Sequence, residues 1–497
     1  LADFQLILPE ILLVVMIAGL LLDEISYHGE RARLLLPTAL LGYGAALVQA
    51  LLLLGAAPGR LFSGAIVVDR LSLFAKVFAI ILGALVTLLG WRSREIDRGA
   101  FAEFAALVAG SSLALCLVSS AADLGVAAVS LLALNLSGYL LAGYGKRSRR
   151  SVEAALKYLA FGSVASTLFL FASALLFLAT RTLNLSEIHS ALIQVPMPVE
   201  TATVVFALFF LALGFQLGAF PMQLWSADVI EGAPTPISAL VTLASRGAGI
   251  ILSVRLVFAV FAQPRLEPGT WDVMGAWDWR LMVAWVAGVT LLTGGLLAVR
   301  QESAKRLVAN LVVAETGYLL LGLLILDETS VAALFFNLLV DLFALVGIFA
   351  VISHLIDTHG TDRLAEWAGG PQKGMFEVVL LVVFLLSLVG APPAPGFIGK
   401  FALVGAALEH GWSGLALIAI ASMGLCIAAV ARLAYSLVGN FREQARPLDG
   451  VLTPSWVGQG RTHRVFFFAL LLPLAFFVLA AESVLALAGQ TLRLILW

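Results

Sequence analysis

Apolar runs of roughly membrane-crossing length alternate with short polar stretches along almost the whole chain. A helix needs about 20 mostly apolar residues to cross a bilayer. That rule predicts about fourteen spans, near 4–22, 33–55, 69–91, 103–120, 122–144, 154–179, 202–226, 234–262, 281–299, 305–326, 330–355, 375–408, 413–438 and 464–488. Helical periodicity adds little, because spans buried inside a bundle are apolar all round. Two of the runs are interrupted. FQLGAFPMQLWSADVIEGAPTPISAL (215–240) contains Pro221, Pro234 and Pro236, and LVGAPPAPGFIGKF (388–401) contains Pro392, Pro393 and Pro395. Proline removes a backbone donor and clashes with the carbonyl one turn back, so helices through Pro221 and through the Pro392–Pro395 run must break or kink. Within a bilayer, broken helix survives only where protein or a water-lined cavity satisfies the freed backbone. One interruption in each half of a membrane chain points to an inverted-repeat transport fold with its pathway beside the breaks.

Composition agrees with an all-α polytopic membrane protein: of 497 residues 61% are hydrophobic and 12% charged, with a mean hydropathy of +1.02. Ordinary globular chains are about 25% charged. The loops fix an orientation. Arg31, Arg33, Arg92, Arg94, Arg98, Lys146, Arg147, Arg149, Arg150, Arg300, Lys305, Arg306, Arg442, Arg446, Arg461 and Arg464 fall at alternate loops, whereas the others carry few cations, such as Arg181, Arg265 and Arg280. Basic loops stay cytoplasmic, so both termini are expected on the outer side. The first run lacks a basic leader and a cleavage site and reads as a span, not a signal peptide. The net charge of -1 argues against nucleic acid as a partner. Cys116 and Cys426 form no metal-binding spacing. No phosphate-binding loop, dinucleotide fingerprint or nucleophile elbow is present, which argues against a redox or hydrolytic site in this chain.

Charges inside spans narrow the chemistry, since each costs about 2.5–3.5 kcal/mol at the bilayer centre. Arg246, Glu315, Asp341, Lys400 and Arg255 lie within predicted spans. Arg255 reads as an arginine reaching the outer interface with its long stem. Lys400 reads as functional, because it follows broken backbone and a buried lysine changes protonation readily. Glu315 and Asp341 admit two readings, static neutralisation by the two cations or proton relay.

GYLLAGYGKRSRRSVEAALKYLAFGSVAST (138–167), residues 215–249, AKRLVANLVVAETGYLLLG (304–322) and APPAPGFIGKF (391–401) resemble the antiporter-like membrane subunits of respiratory complex I, bacterial NADH:quinone oxidoreductase. EAALKY (153–158), DVIEGAPTP (228–236) and Lys400 make the chain most similar to the N type within that family. The resemblance implies fourteen helices, with spans 4–8 and 9–13 as inverted five-helix repeats and spans 7 and 12 broken. It divides the chain into 1–100, a three-helix segment; 101–262 and 263–440, the repeats; and 441–497, a cytoplasmic loop and last helix. It implies protons moving along ionisable groups at mid-membrane, with M-type and K-type neighbours and lipid as partners. It implies no cofactor in this chain, with NADH, FMN, iron–sulfur clusters and quinone in partner subunits, so the chain is an enzyme only as part of a translocase in the cell inner membrane.

Here the chain departs from the family pattern: Leu132 stands where the family's span-5 glutamate aligns, Gln216 at the span-7 lysine and Arg246 at the span-8 lysine. The candidate proton-handling set is therefore Lys400, Glu315, Asp341, Arg246 and Lys305, with Leu132 and Gln216 as altered positions. Two mechanisms follow. Pumping runs through a rewired axis around Lys400 with Arg246 as fixed counter-charge, or the subunit is wholly or half inert and serves packing. An ion-translocating subunit of another complex (a hydrogenase, a cation/proton antiporter or a carbon-uptake system) and a stand-alone solute carrier are the other classes. The scarcity of polar residues near the first break disfavours the carrier.

Overall fold

The predicted runs form helices in the computed structural model, which describes residues 2–26, 32–55, 57–146, 148–264, 270–274, 277–367, 375–444 and 460–489. The first run is split at Ile7 into α1 (Ala2–Leu6) and α2 (Leu8–Ser26), followed by α3 (Ala32–Leu52), α4 (Arg70–Arg92), α5 (Phe101–Ser120), α6 (Leu124–Ala142) and α7 (Arg149–Thr180). A short helix α8 (Leu185–Gln194) precedes α9 (Val199–Leu217), α10 (Ser226–Gly232) and α11 (Thr235–Leu256). Then come α12 (Arg280–Val299), α13 (Ala304–Ile325), α14 (Glu328–His359), a single turn α15 (Leu364–Trp367), α16 (Met375–Val389), α17 (Pro395–Glu409), α18 (Ser413–Gln444), α19 (Gly460–Leu479) and α20 (Ala481–Gly489). Among the described residues 11 helices are long and apolar enough to cross a membrane. The other three predicted runs correspond to α2, to the split pair α16 and α17, and to α19.

The apolar pattern does not announce two antiparallel hairpins, β1 (Gly59–Leu61) with β2 (Ile66–Val68) and β3 (Ala262–Pro264) with β4 (Trp271–Val273). Three-residue strands fall below what alternation can signal. Both hairpins lie at the end of the bundle opposite the basic loops. Arg31, Arg147, Arg265 and Arg446, and the side chains of Arg33, Arg442, Arg461 and Arg464, lie outside the described residues.

Both proline-marked runs break, by the same local geometry. Helix α9 ends at Gly218 (φ +69), and Phe220–Pro221 is cis; α16 ends at Gly390 (φ +75), and Pro392–Pro393 is cis. The sequence parallel is Gly218-Ala219-x-Pro221 against Gly390-Ala391-x-Pro393. In each, the alanine N–H closes on the carbonyl five residues back, Ala219 on Gly214 (2.8 Å) and Ala391 on Leu386 (3.0 Å). Glycine is required at 390 twice over: its φ is left-handed, and an added Cβ would lie 2.6 Å from Lys400 Cδ. The halves run in opposite senses. Helix α9 descends towards the basic end before breaking, whereas α16 climbs away from it. SGYLLAG (137–143) in α6 and TGYLLLG (316–322) in α13 show the same reversed kinship.

Protein groups satisfy the freed backbone, as a break in lipid requires. Trp225 Nε1 donates to Phe215 O (3.1 Å), Thr316 Oγ1 to Leu217 O (2.7 Å), Ser245 Oγ to Gln216 O (2.9 Å), and Phe220 N to Thr290 Oγ1 (3.0 Å). Helix α13 of the second half thereby props the first break. Every residue of α11 is buried, and all but Arg306 of α13. Leucines and phenylalanines on α3, α7 and α19 face outward, as lipid-contacting helices do.

Candidate functional site

The second break supplies the centre of the site. Lys400 lies on α17 five residues after its first, buried to 1% exposure. Its ammonium pairs with the Glu315 carboxylate of α13 and donates to Leu388 O (2.6 Å), a carbonyl of the last turn of α16. Tyr318 places its ring 5.0 Å from the same nitrogen. The helix break thus leaves a backbone carbonyl free to hold the lysine.

A second buried pair stands alongside. Arg246 of α11 meets Asp341 of α14 at 3.1 Å, with both side chains nearly inaccessible. The two pairs share the buried centre where α11, α13, α14 and α17 pack together. None of the three guanidinium nitrogens of Arg246 makes a geometrically sound hydrogen bond, nor does Asp341 Oδ2 or, one turn away, Asn337 Nδ2. Buried polar atoms are normally matched. This cluster is polar beyond what its own pairing consumes.

The first break is built differently. Gln216 donates to Asn135 Oδ1 (2.8 Å) on α6 and accepts from Ser245 Oγ (2.6 Å) on α11. All three are buried and none carries charge. Leu132, one turn before Asn135, is 43% exposed at the mouth of the narrow crevice that Asn135 and Gln216 line from within. The partner of Gln216 is therefore Asn135, which the sequence reading passed over. An amide among apolar neighbours gives no charge signal.

Lys305 lies about 15 Å from Glu315 along α13, ten residues towards the basic end. It donates to Ala233 O (2.8 Å) in the link between α10 and α11 and sits 3.7 Å from Glu95. Nearby, the two most telling motifs of the sequence touch: Lys157 of EAALKY meets Asp228 of DVIEGAPTP at 2.6 Å, and Arg306 joins both Asp228 and Glu231.

The reading of Arg255 is corrected. It is fully buried rather than reaching the interface, and forks onto Asp69 with two 3.0 Å hydrogen bonds while donating to Ser119 O (2.7 Å). Asp69 caps α4 and faces inward, so the arginine finds a carboxylate closer than the surface. Another buried pair went unread, Lys76 of α4 with Glu10 of α2 at 2.8 Å. Both residues lie inside predicted spans. The cost argument that flagged Lys400 would have found them.

Residues 121–427, more than half of the chain, match the family model described as NADH:quinone oxidoreductase/Mrp antiporter, TM. The chain belongs to this family. Among curated relatives it is 33% identical over 398 residues to NAD(P)H-quinone oxidoreductase subunit 2 of Prochlorococcus marinus (strain NATL2A), covering 80% of this chain and 74% of that protein. The corresponding subunit 2 of Nostoc sp. is 32% identical over 424 residues, covering 85% of this chain and 79% of the relative. Among solved structures, a chain of respiratory complex I from Thermus thermophilus with bound aureothin superposes with a TM-score of 0.76 at 26% identity, over 97% of this chain and 99% of that one. A chain of the archaeal membrane-bound sulfane sulfur reductase superposes at 0.84 with 18% identity and shares the fold. The chain is thus an antiporter-like, multi-pass membrane subunit of complex I type. Its central charges, Arg246, Glu315, Asp341 and Lys400, all fall inside the family match, whereas Glu10, Asp69, Lys76 and Glu95 lie before it. Among the described residues no group of three or more His, Cys, Asp or Glu is placed to hold a metal.

Proposed function

We propose that this chain couples quinone reduction to proton translocation within a complex I-type assembly, and that it handles protons at the Lys400–Glu315 pair. The observation that carries the reading is a lysine bound at once to a carboxylate and to a carbonyl beside broken helix. One proton shared between Lys400 and Glu315 can sit as ammonium with carboxylate or as amine with carboxylic acid. A buried lysine follows its partner's charge, so moving either helix shifts that balance. Arg246 cannot release its proton in the useful range and serves as the fixed counter-charge of Asp341.

The second reading of the sequence applies to the first break alone. Asn135 and Gln216 hold no charge there, which favours a packing role for that break. Residues 1–100 then form the N-terminal segment, 101–262 the repeat with an uncharged break, 263–440 the repeat that carries Lys400 and Glu315, and 441–497 the closing loop and helix. The basic loops support a cytoplasmic position for the Lys305 end of α13, with both termini outside. M-type and K-type subunits flank the chain. NADH, FMN, iron–sulfur clusters and quinone belong to other subunits.

The test is proton pumping by the intact complex in sealed vesicles during quinone reduction. Lys400→Ala and Glu315→Gln are each expected to lower pumping while the complex still assembles. Full pumping in both would remove the Lys400 site from the mechanism.

A further inference from the structure

Helix α4 holds α11 at both ends with an acid. At the outer end Asp69 caps α4 and grips Arg255; at the cytoplasmic end Glu95, three residues past α4, accepts from Thr235 N (2.8 Å) at the start of α11 and faces Lys305 at 3.7 Å. The two grips differ in kind. The outer one is a bidentate fork between side chains at 0% and 3% exposure, and arginine keeps its charge. The inner one holds the Thr235 N–H at 2.8 Å but reaches Lys305 of α13 only at 3.7 Å, with Lys305 held independently by Ala233 O. Glu95 is 24% exposed, so of the two acids it is the one that solvent reaches.

Behind Glu95 lies a polar track. Thr235, Ser238, Thr242 and Ser245 recur at the three-to-four-residue spacing of one helix face and are all buried. The face leads about 16 Å to Arg246. Both ends carry unmatched groups: Thr235 Oγ1 and the Nε and Nη2 of Arg246 are buried without a hydrogen-bond partner, while Nη1 pairs with Asp341. Hydroxyls can donate and accept in turn, as proton passage needs.

We infer that Glu95 is the cytoplasmic gate of this subunit: its carboxylate takes up a proton, releases Lys305, and opens the hydroxyl face of α11 towards Arg246 and Asp341. The proton becomes the carboxyl hydrogen of Glu95 and passes along that face to the Asp341 carboxylate beside Arg246, which restores the Glu95 carboxylate and the clamp. Among the described residues Asp357 of α14 also lies near Glu95 and accepts from the backbone N–H of the adjoining Arg94 at 3.3 Å. The gate rests on the proposed Lys400 mechanism and comes from the N-terminal segment, outside the family match.

The experiment uses the intact complex in sealed vesicles, with the pumping lost in Lys400→Ala defining this subunit's share. Glu95→Gln keeps an acceptor for Thr235 N but has no carboxyl to protonate. It is expected to lower that share at least about tenfold, as loss of a proton-transfer group does, with Glu95→Asp restoring most of it. A Glu95→Gln complex pumping the full share, or failing to assemble despite the retained acceptor, would overturn the gate and leave only a structural clamp. If Lys400→Ala itself pumps normally, the underlying reading fails instead.

Discussion

The two helix breaks share a backbone and differ in what they hold. Around Gly218 and Pro221 the site holds Gln216 of the broken helix with Asn135 and Ser245 of its neighbours; around Gly390 and Pro393 it holds Lys400 of the broken run with Glu315, Asp341 and Arg246 of its neighbours. The shared geometry shows that a break is first a packing solution, since both close through the same five-residue turn. Charge is an addition made at one break only. Amides satisfy a buried site at low cost. Ion pairs demand full compensation, because each desolvated charge costs several kcal/mol.

The comparison breaks most sharply at Lys400 and Gln216. Lys400→Ala should remove this chain's share of proton pumping, whereas Gln216→Ala should leave pumping at the parental level; vesicle acidification during quinone reduction reads both. Next in size is the Arg246–Asp341 pair. Arg246→Leu strands a buried carboxylate and should destabilise the subunit by about 3–5 kcal/mol, most of it recovered when Asp341→Leu is added. Thermal unfolding of the detergent-solubilised complex checks this, and equal losses in single and double variants would deny the pairing.

Charging the first half sharpens the contrast. Leu132→Glu directs a carboxylate to the crevice mouth at the lipid face and should cost about 2.5–3.5 kcal/mol, seen as reduced assembly. Asn135→Glu with Gln216→Lys puts the charges in direct contact and should assemble better than Leu132→Glu with Gln216→Lys. The reverse ranking would return the pairing position to Leu132. Smallest is Asn135→Leu, which leaves the Gln216 amide short of one partner. A loss of about 1–3 kcal/mol in thermal unfolding with unchanged pumping is expected.

Much of the architecture was legible in order along the chain. Span positions follow from apolar runs, because lipid demands a minimum length and tolerates few charges. The breaks follow from Pro221 and the Pro392–Pro395 run, because proline cannot continue a helix. Lys400 stood out by its place beside one of them. The misreadings share a cause. Arg255 looked close enough to the surface to reach it, yet Asp69, 186 positions away, lay nearer. Asn135 carried no charge to attract notice, and Glu95 sat in a loop that seemed merely basic.

Sequence by itself determined that this chain lives in lipid, where its helices run, where two of them stop, and which charges must be accounted for. Those are consequences of local chemistry, in which bilayer thickness, a missing N–H and the cost of burying charge apply residue by residue. Only the tertiary structure decided who meets whom: Lys400 with Glu315, Arg246 with Asp341, Gln216 with Asn135, and α4 with both ends of α11. Partner choice depends on how helices far apart in the chain turn their faces towards one another, and an apolar span gives no periodic sign of which face that is.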